Sequence, residues 1–280
     1  MTNKDSSLRR RFGPTALITG ASDGIGRAIA VQLAEQGFDL ILVARGRTAL
    51  RELALDLGVR FGSEVAVIPI DLSAPDAVAT VLEETRGAQI GLVVAAAGFG
   101  SVGPFLHQDM ASEINMVDLN CRSVVELAHG FGSRLAQQGR GGIVLFGSLL
   151  GFQGAPLSAT YAATKGFVQS FAEGLAPELA AQGVSVLSVA PAQVGTGFAA
   201  RAGMQMGKAA TPEAVAKGAL AALGKRGTVR PGFLAKFLGW SLAMLPRWGR
   251  VQIMGIIMKS MAGAQIKENA AQDTKAARPL

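Results

Sequence analysis

Thr19-Gly20-Ala21-Ser22-Asp23-Gly24-Ile25-Gly26 is the stretch that decides the fold. A short apolar run, Thr15–Thr19, leads into it, and Ile25, Ala28, Ile29 and Leu33 follow at helical spacing. Strand, glycine-rich turn and helix in that order is the context in which such a turn binds a dinucleotide. Glycine is needed where the chain turns tightly, where backbone approaches a pyrophosphate, and where helix meets strand closely. The helix N-terminus then offers unpaired N–H groups and a partial positive charge to the phosphates. Gly20, Ser22, Asp23, Gly24, Ile25 and Gly26 are therefore the expected contacts, and Gly37 stands where the helix should end.

Outward from this unit the same alternation repeats. Asp39–Ala44, Glu64–Ile70, Gly91–Ala95, Gly142–Phe146 and Val184–Ala190 read as further strands, several apolar throughout, as strands buried on both faces must be. Amphipathic stretches separate them, with long helices expected around residues 109–138 and 159–182. This order predicts an α/β fold: one doubly wound (Rossmann) domain over residues 13–232, with a parallel sheet of about seven strands and helices on both faces. Residues 1–12 read as a flexible tail. Residues 233–263 read as an apolar helical extension, amphipathic in pattern, and 264–280 as a polar, disordered tail.

Composition narrows the class. The 280 residues are 49% hydrophobic and hold one cysteine, Cys121, which excludes an internal disulfide and reads as a small buried hydrophobe. No Cys/His cluster suggests a metal site, and His107 and His129 read as loop or helix-surface residues. A net charge of +7 raises nucleic acid as a partner, but the basic residues are spread and no aromatic-interleaved basic run appears. No secretion signal and no spanning apolar run are present, so the expected location is cytoplasmic, with the inner face of a membrane as a peripheral alternative.

The end of the second strand selects the cofactor. A fold choosing NAD puts a carboxylate there, whereas NADP needs an arginine for the 2′-phosphate. This chain reads Leu42-Val43-Ala44-Arg45-Gly46-Arg47, without an acid. Arg45, with a guanidinium matched to phosphate and always charged, points to NADP(H), and Arg47 stands near enough to assist.

Ser148, Tyr161 and Lys165 form the catalytic constellation. Tyr161 and Lys165, four apart on one helix, share a face, and Tyr161 is the chain's single tyrosine. A phenol near pKa 10 is a poor acid or base at neutral pH. A neighbouring ammonium and an oxidised nicotinamide would both favour its phenolate. Ser148 is placed to donate a hydrogen bond to a substrate oxygen as charge develops there.

On these motifs, with Asp71, Asn120 and Tyr161-Ala162-Ala163-Thr164-Lys165, the sequence resembles the short-chain dehydrogenase/reductase family over about residues 12 to 232. Gly98–Phe105, Val229–Gly232 and Leu245–Arg247 resemble its ketoacyl-reductase and hydroxysteroid-dehydrogenase-like branch. The resemblance implies Tyr161 as general acid in carbonyl reduction, or base in alcohol oxidation, and Lys165 on the nicotinamide ribose. It implies Ser148 as the orienter of the substrate oxygen and Asn120 as the holder of a proton-relay water. Asp71, with Leu72, would meet the adenine; Ala97 and Gly98 would offer backbone beside the adenosine ribose. Pro191, Val194 and Thr196 would surround the nicotinamide. The family also implies a homodimer or homotetramer. Ala95-Ala96-Ala97-Gly98 departs from its usual Asn-Asn-Ala-Gly, and Pro191-Ala192 from its Pro-Gly.

Leu149, Leu150, Phe152 and Phe198 are the candidate substrate contacts, with Met204 and Met206, in a region fit for a mobile lid. This apolar roster points to a hydrophobic ketone, aldehyde or matching alcohol, such as a fatty acyl, steroid-like or xenobiotic carbonyl; each residue could equally be core. Residues 233–261 are open to three roles: roof of the pocket, contact with a partner subunit, or contact with an anionic membrane. The alternative function is a non-catalytic NADP-binding sensor on the same fold.

Overall fold

Leu17 and Ile18, adjacent in β1 (Thr15–Thr19), are both fully buried, and they belong to different cores. Successive side chains of a strand point to opposite faces, so a strand apolar at both positions must be covered twice. The computed structural model, which describes residues 6–197 and 209–261, shows both coverings.

β1 pairs in parallel with β2 (Asp39–Ala44), and β2 with β3 (Val65–Pro69). On its other side β1 meets β4 (Ile90–Ala95), followed by β5 (Gly141–Phe146), β6 (Val184–Val189) and β7 (Thr228–Val229). The order β3-β2-β1-β4-β5-β6-β7 is a doubly wound sheet. The six strands read from the sequence end within one residue of those observed. β7 was not among them, because two residues carry no period to read.

On one face α2 (Gly24–Glu35), α3 (Arg47–Phe61) and α8 (Pro212–Ala222) bring Ile29, Leu33, Leu50 and Val215 onto Ile18, Leu42 and Val94. On the other, α4 (Ala77–Glu84), α6 (Ser123–Gln137) and α7 (Ala159–Ala180) bring Val81, Leu127, Phe131 and Val168 onto Leu17, Val43 and Val93. α5 (Met110–Val117) runs into α6 through a wide π turn, Asp118–Arg122, which holds Asn120.

One expectation is corrected at the N-terminus. Residues 7–12 are not tail but helix α1 (Ser7–Phe12), capped by the Ser6 hydroxyl accepting from the Arg9 N–H. Phe12 is 2% exposed and rests against Gly142, where a Cβ would come within 3.0 Å of its ring. Arg9 Nε donates to the Gly37 carbonyl at 2.6 Å. The sequence reads as tail here because one phenylalanine among arginines shows no periodicity; the packing site belongs to glycines on distant strands.

The extension consists of α9 (Phe233–Ala243) and α10 (Arg247–Met261). Leu242, Met254 and Met258 pack with Val102, Ala155 and Ala162 in a third, smaller core. No helix among the described residues is long and apolar enough to cross a membrane. The polar tail 264–280, and with it Phe198, Met204 and Met206, lies outside the described residues.

Candidate active site

Where the strand order reverses between β1 and β4, the connections leave in opposite directions and a crevice opens at the carboxyl ends of the strands. It is a cavity of about 740 Å³.

The glycine-rich turn forms one wall. Gly20 has φ +66°, and a Cβ there would lie 2.8 Å from the Ala97 nitrogen, so no other residue fits. A Cβ on Gly26 would lie 2.3 Å from the Gly20 carbonyl oxygen; this is the close helix–strand approach expected of the motif. Asp23 caps α2, its carboxylate accepting from the Gly24 N–H at 2.7 Å. Gly20, Ser22, Asp23, Gly24, Ile25 and Gly26 all line the cavity.

Arg45, at the end of β2, lies on the same wall with a side chain 70% exposed. Its Nη1 is 3.7 Å from Asp71 Oδ2. Asp71 also accepts from the Ser73 N–H at 3.0 Å and from its hydroxyl at 2.7 Å. Burial pushes this carboxyl up, but the Ser73 bonds and Arg45 outweigh it and hold it below its ordinary value. Leu72, Ala97 and Gly98 line the cavity beside them. The Thr19 hydroxyl joins β1 to the chain after β4, accepting from the Ala97 N–H at 3.0 Å.

The opposite wall carries the titratable groups. Ser148 follows β5 and caps a short 3₁₀ turn, Leu149–Phe152, accepting from the Leu150 N–H at 3.2 Å. Tyr161 and Lys165 come from the first turns of α7; all three are buried and line the cavity. The expected lowering of the Tyr161 phenol by Lys165 is corrected: burial pushes it up to about 12, against a hydrogen bond with Ser148 that lowers it. Burial likewise pulls the Lys165 ammonium down to about 8, the Cys121 thiol acting in the opposite sense. Lys165 Nζ donates to the Phe146 carbonyl at 2.9 Å and stands 5.7 Å from the centre of the Tyr161 ring.

Asn120 lies just behind this wall. Its Nδ2 donates to the Phe99 carbonyl at 2.9 Å and to the Thr164 hydroxyl at 3.0 Å, and its Oδ1 accepts from the Phe99 N–H at 3.2 Å. Gly98 separates it from the lysine: a Cβ there would meet Asn120 Oδ1 at 2.8 Å and Lys165 Nζ at 3.5 Å. Cys121 is half-buried, and burial raises its thiol to about 11, away from reactivity. Among the described residues no group of three or more His, Cys, Asp or Glu side chains is arranged to hold a metal.

A family model for short chain dehydrogenases matches residues 14–207. The chain belongs to the short-chain dehydrogenase family. With it come oxidoreductases that act on hydroxyl and carbonyl groups. The 7β-hydroxysteroid dehydrogenase of Clostridium sardiniense is 34% identical over 181 residues, 65% of this chain and 69% of that one. A very-long-chain 3-oxoacyl-CoA reductase of Macaca fascicularis is 28% identical over 241 residues, 85% and 77% of the two chains. Among solved structures, a short-chain dehydrogenase from Sphingobium yanoikuyae in complex with NADPH is 33% identical. It superposes with a TM-score of 0.74 over 83% of this chain and 94% of that one.

In this member of the family the roof of the cavity comes from the extension. Leu242 of α9 and Met254, Ile257, Met258 and Met261 of α10 line it, together with Leu149 and Leu150. Gln193 Nε2 donates to Met261 Sδ at 3.2 Å and ties the end of α10 to the loop after β6. That loop brings Pro191, Val194 and Thr196 to the cavity, and a bridge between Val194 and Ala210 closes its base. Of the expected substrate contacts, Phe152 is corrected. It is not among the lining residues, and the Arg230 guanidinium sits 4.4 Å over its ring. Sequence reasoning missed the α10 methionines as lining. Only their distance from the site in the chain hid them, since an apolar helix after a Rossmann unit has several places to pack.

Proposed function

We propose that this chain is an NADPH-dependent oxidoreductase that reduces a hydrophobic ketone or aldehyde, or reversibly oxidises the matching alcohol, with Tyr161 as general acid/base. One observation carries the reading. Ser148, Tyr161 and Lys165 are buried together in one cavity whose other wall is the glycine-rich turn and whose roof is apolar.

The turn and the N-terminus of α2 would hold the pyrophosphate, and Arg45 the 2′-phosphate, with Asp71 and Leu72 beside the adenine. The NADPH in the Sphingobium relative supports that assignment. Bound there, the cofactor would supply the hydride for the carbonyl carbon. Tyr161 then donates its phenolic proton to the carbonyl oxygen. With a pKa raised to about 12, the phenol carries that proton at neutral pH. Ser148 donates a hydrogen bond to the same oxygen as negative charge develops on it. Lys165, protonated, stabilises the phenolate left behind, and Asn120 orders the backbone at Phe99 next to it. Leu149, Leu150 and the α10 methionines exclude water and select apolar carbonyls. The names of the steroid and very-long-chain acyl relatives favour that substrate class.

The same reading takes the protein as a homodimer or homotetramer. Ile114 and Val117 of α5 and Phe167 of α7 are exposed and available for pairing.

The test is NADPH oxidation across a panel of apolar ketones and aldehydes, run beside Tyr161→Phe. Turnover by the parent, lost in the variant with NADPH affinity kept, supports the reading. Turnover of polar sugars alone would refute the substrate class. Tight NADPH binding without turnover on any carbonyl would favour a non-catalytic sensor.

A further inference from the structure

The helices that roof the cavity also carry an outward surface that nothing covers among the described residues. Leu242, Met254 and Met258 are buried, whereas Trp240, Met244 and Trp248 are 66%, 73% and 73% exposed. The five residues Met244–Trp248, the link between α9 and α10 with the first two residues of α10, are all exposed. Trp240 and Trp248 are the only tryptophans of the chain. Clustered apolar exposure of this kind marks a surface that meets something.

Charge selects what it meets. Residues 233–261 carry Lys236, Arg247, Arg250 and Lys259 and no Asp or Glu; the acid-free stretch runs from Glu213 to Glu268. Two copies meeting through these helices would bring like charges together, whereas an anionic lipid surface attracts the exposed Lys236, Arg247 and Lys259. Tryptophan, with an apolar ring and a polar N–H, is at home at the bilayer interface. α9 and α10 have 11 and 15 residues, short of the roughly 20 that span a bilayer, so the contact is interfacial. From this surface we infer that the α9–α10 turn, Trp240 to Trp248, docks the protein on an anionic membrane. Docking sets the cavity roof against the lipid, the phase from which an apolar substrate would come; that consequence alone rests on the proposed function.

Because both tryptophans lie on this surface, their emission reports on it alone. Full-length protein is mixed with vesicles of phosphatidylcholine, or of equal parts phosphatidylcholine and phosphatidylglycerol, and followed by sedimentation and tryptophan fluorescence. Binding and a blue shift are expected with the anionic vesicles only, and both should fade at high salt. Arg247→Gln should weaken partitioning about fivefold, the effect of one basic residue at an anionic surface. Trp248→Ser should weaken it further, with thermal melting unchanged in both variants. Absence of sedimentation and shift with anionic vesicles at low salt overturns the inference. So does a lipid-independent shift that grows with protein concentration alongside a doubled mass in light scattering, which would give the face to a second copy. No cofactor or carbonyl is present, so failure here leaves the catalytic reading standing.

Discussion

Arg45 and Lys165 are charged side chains with opposite surroundings, and each carries a prediction. Arg45 is largely exposed and shares its charge with Asp71 3.7 Å away, an exposed pair of the kind that contributes little to stability. On the proposed function its value lies in holding a doubly charged phosphate. Arg45→Ala should raise the KM for NADPH by about 10- to 100-fold, the range expected for a charge-assisted hydrogen bond, and leave that for NADH nearly unchanged. Steady-state kinetics with both cofactors checks it. Lys165 is buried, and burial lowers its folded-state value to about 8 from 10.5. Between those values the unfolded chain binds more protons than the folded one, so this group's contribution to stability rises with pH, and is lost as pH falls through 8. Tyr161, raised to about 12 from 10.0, adds pH dependence only above about 9, in the opposite sense, and is common to both proteins compared. The Tm difference between the cofactor-free parent and Lys165→Met should therefore shift in favour of the parent from pH 8 to pH 10. The spacing of Tyr161 and Lys165 was readable because a helix fixes which residues share a face. The Thr19 hydroxyl was not, because its partner, Ala97, is 78 positions away.

At the scale of elements, the long and buried were legible and the short were not. β4 and β5 are buried at every position and announced themselves as unbroken apolar runs. β7 and α1 have two and six residues, too few to show a period, and both form because neighbours hold them. Ser188 pairs with Thr228 in the sheet; the Phe12 ring fills the space that Gly142 leaves near the amino end of β5, and the Phe12 and Gly13 carbonyls fill that at Gly91 in β4. Phe12→Ala should cost about 3–5 kcal/mol in a denaturant titration, as deletion of a buried phenyl ring does. The KM for NADPH should not change, because the cavity opens at the other end of the strands.

Across the whole molecule, the cavity joins two parts of different origin. A wall and floor come from the Rossmann unit, where the strand order dictates a crevice. The roof comes from α10, some ninety residues after Tyr161, and its methionines can adapt to bulky apolar shapes. Met258 is 1% exposed and faces both the third core and the cavity. Met258→Trp should raise the KM for bulky ketones about tenfold while small ketones and NADPH are spared, measured as kcat/KM across ketones of graded size. Equal losses on all ketones would place Met258 outside the substrate space.

What the sequence determined by itself was everything that local chemistry dictates. Alternating apolar and helical segments imposed a parallel doubly wound sheet. The glycines of the first turn and Arg45 stood out as cavity residues, and helical spacing joined Tyr161 to Lys165. Tertiary structure alone decided what closes the cavity, which way Phe152 faces, and that Phe12 is core. It also decided which side chains of α9 and α10 stay exposed among the described residues. The physical reason is the same in each case. Backbone preference and helical period act within a few residues, whereas burial depends on which distant surface arrives to remove the water.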